Sequence, residues 1–237
     1  MRWRSRYAAG EVGPVWAEIV AADGPPSAEA VAGARELARR AGRNAERIRD
    51  HLVAQGYAFE ADEPIRPPAD DIAEQLAAME EQIGPVPLAL RAWAEEVGLV
   101  NLNGSHPEWE IEYSDPFCVE LYPSYLVEEH RDWVQENWFE RWGLTTFPIA
   151  LAPDVLHKAD VSGGPPYGIE LPDPSADPRW HNDDVHEGAT FVGYLRSALL
   201  RWAGFPGWAR VAPGGTTRPR PPFPPDLAAL AARLEPF

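Results

Sequence analysis

Apolar positions recur every three or four residues in several segments of the chain, a period that predicts amphipathic helices. The longest such segment follows Ser27, which stands at the N-cap position, and ends at Gly56. Its apolar side runs from Val31 through Leu37 to Leu52. Arginines on the opposite side predict a solvated basic face: Arg35, Arg39, Arg43, Arg47 and Arg49.

Shorter helices are predicted along the rest of the chain. A capping-box pattern at Asp71 and Glu74 begins one that ends at Gly84, and Pro87 begins another that ends at Gly98. The period also predicts helices at 124–137, with Leu126, Trp133 and Val134 buried, from Thr190 to Gly204, and after an N-cap at Asp226. The apolar segment 12–20 has no clear period and fits either a strand or a helix.

Strict alternation of apolar and acidic residues predicts a strand at 108–113. Trp109, Ile111 and Tyr113 would face inward, and Glu108, Glu110 and Glu112 would face solvent. Other strand patterns occupy 99–102, before an Asn103-Gly104 turn, and 117–121, 147–152, 156–161 and 167–171.

These elements predict an α+β fold with a mostly antiparallel sheet flanked by helices. We expect three segments: an N-terminal extension with one long helix (1–62), an α+β domain (63–210), and a Pro-rich connector with a short terminal helix packed on the domain (211–237). The connector fits either a strap that holds the terminal helix or a polyproline ligand of the SH3 type.

The charge of the chain is concentrated in one part. The net charge is −16, and residues 60–187 hold 28 acidic against 6 basic residues. Such a field repels nucleic acid and anionic membranes and attracts basic proteins, although acidic residues also serve solubility alone. The single cysteine, Cys118, excludes an internal disulfide and is expected to be a small buried hydrophobe. Without a signal peptide or a long apolar run, a cytoplasmic location is expected.

Several motifs together resemble the SUKH superfamily over residues 70–210. They are Gly84-x-Val86-Pro87, a helix that ends Glu96-Val97-Gly98, Pro107-Glu108-Trp109, Thr190-Phe191-Val192-x-Tyr194-Leu195-Arg196, and Trp202-x-Gly204-Phe205-Pro206-Gly207. The resemblance implies an α+β fold and a function in binding, because bacterial members are largely immunity proteins that neutralise toxin domains. Other members act as intracellular regulators or interaction hubs.

We therefore expect a protein that binds a protein partner without catalysis or a cofactor. The resemblance favours an immunity protein for a basic, nuclease-like toxin domain, with an intracellular regulator or scaffold as the alternative. The expected contacts are acidic side chains with one aromatic anchor: Glu108, Glu110, Glu112, Asp173, Asp183, Asp184 and Trp180.

A divalent-metal-dependent hydrolase is the strongest catalytic alternative. His181, Asp183, Asp184 and His186 lie within six residues, with His157 and Asp173 upstream. Imidazole and carboxylate groups bind zinc and similar ions, but this spacing matches no motif in which a helix brings the ligands together. A Gly-x-Ser-x-Gly nucleophile motif is absent from the sequence.

Overall fold

The computed structural model describes residues 3–109, 114–161, 163–182, 189–209 and 222–237. Within them, the α-helices are α1 (Trp3–Ala8), α2 (Val12–Val20), α3 (Ala28–Ala54), α4 (Ile72–Ile83), α5 (Leu88–Glu96), α6 (Pro123–Gln135), α7 (Trp138–Trp142), α8 (Val155–Lys158), α9 (Phe191–Leu195) and α10 (Pro225–Ala231). A π-helix (Arg196–Arg201) continues α9, and a 3-10 helix spans Pro206–Ala209.

Short antiparallel sheets accompany these helices, so the predicted α+β class is confirmed. The first pairs β1 (Ala58–Phe59) with β4 (Gly104–Ser105), and the second has the order β2 (Ile65–Arg66), β3 (Leu99–Asn101), β5 (Cys118–Val119). The third pairs β6 (Phe147–Ala152) with β7 (Tyr167–Leu171), with Ile149 opposite Ile169.

Helix α3 is the long helix that the sequence predicts. The Ser27 hydroxyl accepts a hydrogen bond from the Ala30 N–H at 3.1 Å, which caps its first turn. Its buried side is rich in alanine and packs against α5. The arginines are not simply solvated, because Arg35 and Arg39 pair with Glu95 and Glu96 of α5 at 2.6 and 2.8 Å. The predicted solvated face is therefore partly an interhelical ion-pair network.

Gly104 lies in a strand rather than in the predicted turn. It pairs with Phe59, and a Cβ at this position would lie 2.3 Å from the Ala58 carbonyl oxygen. Glycine is required here because the two backbones approach too closely for any side chain.

Aromatic side chains fill the centre of the molecule. Trp93 is fully buried and meets Phe117 and Phe191 edge-on, with ring centroids 5.9 and 6.2 Å apart. Phe117 in turn stacks on Tyr194. These contacts join α5, the segment before β5, and α9, and such pairs add to the free energy gained from burial alone.

Four local predictions differ from the structure. Segment 156–161 does not form the predicted strand, because the Asp154 carboxylate caps the first turn of α8. Asp71 makes no capping bond and instead accepts a hydrogen bond from the Gln75 side chain. Asp226 lies within the first turn of α10, whose N-cap position is Pro224. Val134 is 53% exposed rather than buried. The open segment 12–20 is the helix α2.

Residues from all three predicted segments share one hydrophobic core, for example Tyr7, Trp93 and Leu227. Phe223 packs edge-on against Trp202 at 5.4 Å and also contacts Trp208. These contacts hold the chain before α10 against the body, while the connector at 210–221 lies outside the described residues.

Candidate protein-binding surface

Glu108 is exposed but lies in a turn instead of the predicted strand. Its backbone N–H donates to Nδ1 of His106 at 3.1 Å, and Nε2 of His106 lies 2.8 Å from the Gln55 carbonyl oxygen. The proton of the neutral ring therefore belongs on Nε2, since Nδ1 accepts. The ring also stacks on Trp109 at 3.8 Å. These contacts favour the turn, so the strand prediction is wrong for Glu108 and Trp109.

Trp180 is not a surface anchor. Its side chain is 2% exposed and stacks on Tyr194 with ring centroids 4.3 Å apart. The ring belongs to the core over α9, although it neighbours polar residues in the sequence, and the prediction that it contacts a partner is wrong. Four other predicted contacts lie outside the described residues: Glu110, Glu112, Asp183 and Asp184.

Asp173 lines a groove with a volume of about 930 Å³. Grooves of this size can hold a small ligand. Its walls come from the end of α2, the loop before α3 and the start of α5. The Asp173 side chain accepts a hydrogen bond from the Ser175 N–H at 2.8 Å, which holds the loop that forms one wall. Asp173 is therefore partly exposed but already has a structural partner.

Helix α6 carries an acidic stripe that the sequence analysis did not identify. Tyr125, Glu128, Asp132 and Glu136 follow one another at intervals of three or four residues, which places them on one side of the helix. All four are exposed, and the ring of Tyr125 is 61% exposed. The opposite side of α6 is buried, so the stripe faces solvent. We use the name acidic stripe for these four residues.

Helix α7 follows α6, contacts it and carries two tryptophans. Trp138 and Trp142 lie one turn apart with ring centroids separated by 6.0 Å, and Trp142 is 67% exposed. The guanidinium of Arg141 lies 5.2 Å above the Trp138 ring. Tryptophan is rarely this exposed, because burial of its large ring in a core is strongly favourable.

Aromatic packing beneath α6 and α7 holds the two helices in place. Trp133 and Phe139 both contact Phe147 of β6, with centroid distances of 5.2 and 6.4 Å. His130 inserts between Phe139 and Phe147. Burial lowers the pKa of His130, which favours its neutral form in this cluster. The acidic stripe and the exposed tryptophan therefore stand on a rigid base.

The neighbouring helix α4 extends the negative charge. It packs against α6 and exposes Glu74 and Glu81. Residues 70–83 and 123–142 together contain ten acidic and two basic residues. Exposed aromatics next to this charge give a surface that combines long-range attraction for a cationic partner with apolar contact area.

Glu129 lies half-buried on α6, near Asp132. Burial raises the pKa of its carboxyl group, and the nearby Asp132 carboxylate raises it further. A basic side chain of a partner placed here would relieve this repulsion.

The arrangement closest to a catalytic dyad joins His157 and Asp154. Nδ1 of His157 lies 2.6 Å from Oδ2 of Asp154, whose oxygens also accept from the N–H groups of Leu156 and Gly164. Burial acts to raise the Asp154 pKa, but these hydrogen bonds outweigh it and leave the pKa lowered. The same carboxylate caps α8, and this role in the fold accounts for its position.

The predicted metal ligands are not brought together within the described part of the chain. His157 pairs with Asp154, and the His181 backbone bonds to Gly168 across an isolated bridge. Among the described residues, no group of three His, Cys, Asp or Glu side chains is placed to hold a metal ion. His186 lies outside these residues, so the metal site stays a prediction.

The sequence contained the signal for the acidic stripe. The period that assigned Leu126 and Trp133 to the buried side of α6 also assigns Tyr125, Glu128 and Asp132 to the opposite side. The period does not indicate that Trp142 is exposed, because an apolar residue in a short helix is expected to be buried.

No protein-family model, curated protein or solved structure matches the chain. None of the helices in the described ranges has the length and apolar character needed to cross a membrane.

Proposed function

We propose that this chain is a non-catalytic binding protein whose partner is a basic protein domain. The acidic stripe on α6, together with the exposed Trp142 on the helix that follows, is the observation that carries the proposal. Acidic side chains steer a cationic partner into contact, and a few apolar side chains then supply most of the binding free energy.

The resemblance to SUKH immunity proteins specifies the proposal further. In that reading the partner is a nuclease-like toxin domain, whose active site carries positive charge because it binds phosphate groups. The acidic stripe binds where the phosphate groups of nucleic acid bind, and it blocks the active site of the toxin.

Co-expression tests this function directly. The chain is expressed in bacteria together with the toxin domain encoded beside its gene, and growth and nucleic-acid integrity are measured. Protection of the cells, together with a complex that survives purification, supports the proposal. Unaltered toxicity, or the absence of a toxin gene from the neighbourhood, contradicts it and favours the regulator or scaffold.

A matched pair of variants locates the binding surface. Glu128→Lys, Asp132→Lys and Glu136→Lys reverse the acidic stripe, while Glu46→Lys, Glu60→Lys and Asp62→Lys reverse three exposed acids elsewhere. Both variants change the net charge equally. Only the stripe variant should lose protection, and equal loss in both would show that total charge, not this surface, is responsible.

A further inference from the structure

Residues 234–237 lie against the body of the protein after α10. Leu234 and Phe237 are 7% and 1% exposed, whereas Pro236 between them is exposed. The segment forms no strand or helix, and beyond the Leu234 N–H, which donates to the Ala231 carbonyl oxygen, side chains of the body bind its main-chain groups.

Asn44 of α3 provides the central contact. It is fully buried, and its Nδ2 donates to the Glu235 carbonyl oxygen at 2.8 Å. Its Oδ1 accepts from the Glu235 N–H at 2.9 Å. One carboxamide thus satisfies both main-chain groups of a single residue, as a neighbouring strand would, and does so for any side chain at that position.

Arginines bind the Glu235 side chain and the carbonyl oxygens of the two residues that follow. Nε and Nη2 of Arg43 bind the Glu235 carboxylate at 3.1 and 2.9 Å. Arg40 also pairs with this carboxylate and donates to the Pro236 carbonyl oxygen at 3.2 Å. Arg196 donates to the Phe237 carbonyl oxygen at 2.6 Å. Charge-assisted bonds of this kind are the strong ones in peptide recognition.

We propose that Arg40, Arg43, Asn44 and Arg196 form a peptide-binding site for an acidic residue followed by an exposed residue and a buried aromatic one. The chain fills this site with its own residues 234–237. We name the four residues the peptide clamp. The groups of the segment that the clamp binds lie within residues 235–237, so a separate peptide of the same sequence carries all of them.

The peptide clamp is independent of the acidic stripe and of the partner proposed for it. Its three arginines favour an acidic ligand, whereas the acidic stripe favours a basic one. A failure of one proposal therefore leaves the other unaffected.

A full-length variant with a weakened internal ligand tests the clamp. Glu235→Ala and Phe237→Ala together remove the carboxylate and the aromatic ring but leave the clamp unchanged. A fluorescein-labelled peptide with the sequence of residues 233–237 is then titrated and followed by anisotropy. We expect saturable binding to this variant and at least about tenfold weaker binding to the wild-type chain, whose own segment competes.

Two controls decide the result. Asn44→Ala in the same background should weaken peptide binding by about tenfold or more, because two main-chain hydrogen bonds are lost. A peptide with alanine in place of glutamate should bind more weakly than the original. If the double variant unfolds, the peptide should restore its helical circular dichroism. A folded variant that does not bind, or an unfolded one that the peptide does not restore, overturns the proposal.

Discussion

Lys158 and Asp115 form an ion pair that is closed off from solvent. Nζ of Lys158 lies 2.6 Å from Oδ1 of Asp115, and the two side chains are 1% and 0% exposed. The Tyr167 hydroxyl donates to the second carboxylate oxygen at 3.2 Å, and the Lys158 ammonium lies 5.0 Å from the centre of the Tyr167 ring. The pair ties α8 to β7 and to the chain before β5.

Removing one partner of this pair should destabilise the fold strongly. Asp115→Asn keeps the shape of the side chain but leaves the Lys158 ammonium buried without its counter-charge, at a cost of about 3–5 kcal/mol in the free energy of unfolding. Denaturant unfolding measures the change. The double variant with Lys158→Met should cost less than the sum of the single variants, because no unpaired charge remains. Additive costs would contradict this account.

Alanine in place of Gly104 and alanine in place of Gly13 should change the stability of the fold in opposite directions. Gly104→Ala places a Cβ 2.3 Å from the Ala58 carbonyl oxygen and should lower the melting temperature. Gly13 lies in α2 with no atom within 4 Å of the added Cβ, so Gly13→Ala should stabilise by about 0.5–1 kcal/mol. Thermal unfolding compares the two variants. Equal effects would show that the approach of β1 and β4 is not the constraint.

Glu129 predicts a pH dependence with a definite sign. Its pKa in the folded protein is raised by burial and by Asp132, so its charged form destabilises the fold. The folded state binds the Glu129 proton more tightly than the unfolded state does. Protonation of Glu129 therefore contributes to stability at low pH, and this contribution is lost as the pH rises through the raised pKa. Glu129→Gln should stabilise the protein at neutral pH and have less effect below pH 4. A variant that is less stable at neutral pH would contradict the assignment.

Substitutions at Trp142 and Trp133 should distinguish a role in binding from a role in stability. Trp142 is 67% exposed, so Trp142→Ala should change the free energy of unfolding by less than about 0.5 kcal/mol. It should nevertheless weaken the complex with the basic partner by about 2 kcal/mol, as expected for an aromatic anchor. Trp133→Ala removes a ring that packs on Phe139 and Phe147, and it should destabilise the fold by about 2 kcal/mol or more. Unfolding and binding titrations on both variants test the distinction.

Local signals account for what the sequence predicts well. The helical period and the Ser27 cap predict α3, and the strand pattern at 147–152 predicts β6. Both signals depend only on neighbours in the chain. Helix α6 is predicted in the same way, with Leu126 on its buried side, although Val134 is exposed.

Distant contacts account for what the sequence misses. The turn at Glu108 depends on His106, whose ring bonds to the Gln55 carbonyl 51 residues away. Trp180 is buried because Tyr194 stacks on it, and nothing near Trp180 in the chain indicates that partner. The exposure of Trp142 likewise depends on how α7 is placed. The acidic character of the proposed binding surface could be predicted, but its position required the packing of α6 and α7.

The association rate with the basic partner shows whether the acidic stripe steers binding. Stopped-flow mixing of the purified partner with the wild-type chain, the reversed acidic stripe (Glu128→Lys, Asp132→Lys, Glu136→Lys) and the control reversal (Glu46→Lys, Glu60→Lys, Asp62→Lys) gives the rate at several salt concentrations. Reversal of the stripe should slow association by about tenfold or more at low salt and flatten its salt dependence, with a smaller change in the control. Equal rates for the two variants would show that the stripe does not steer the partner.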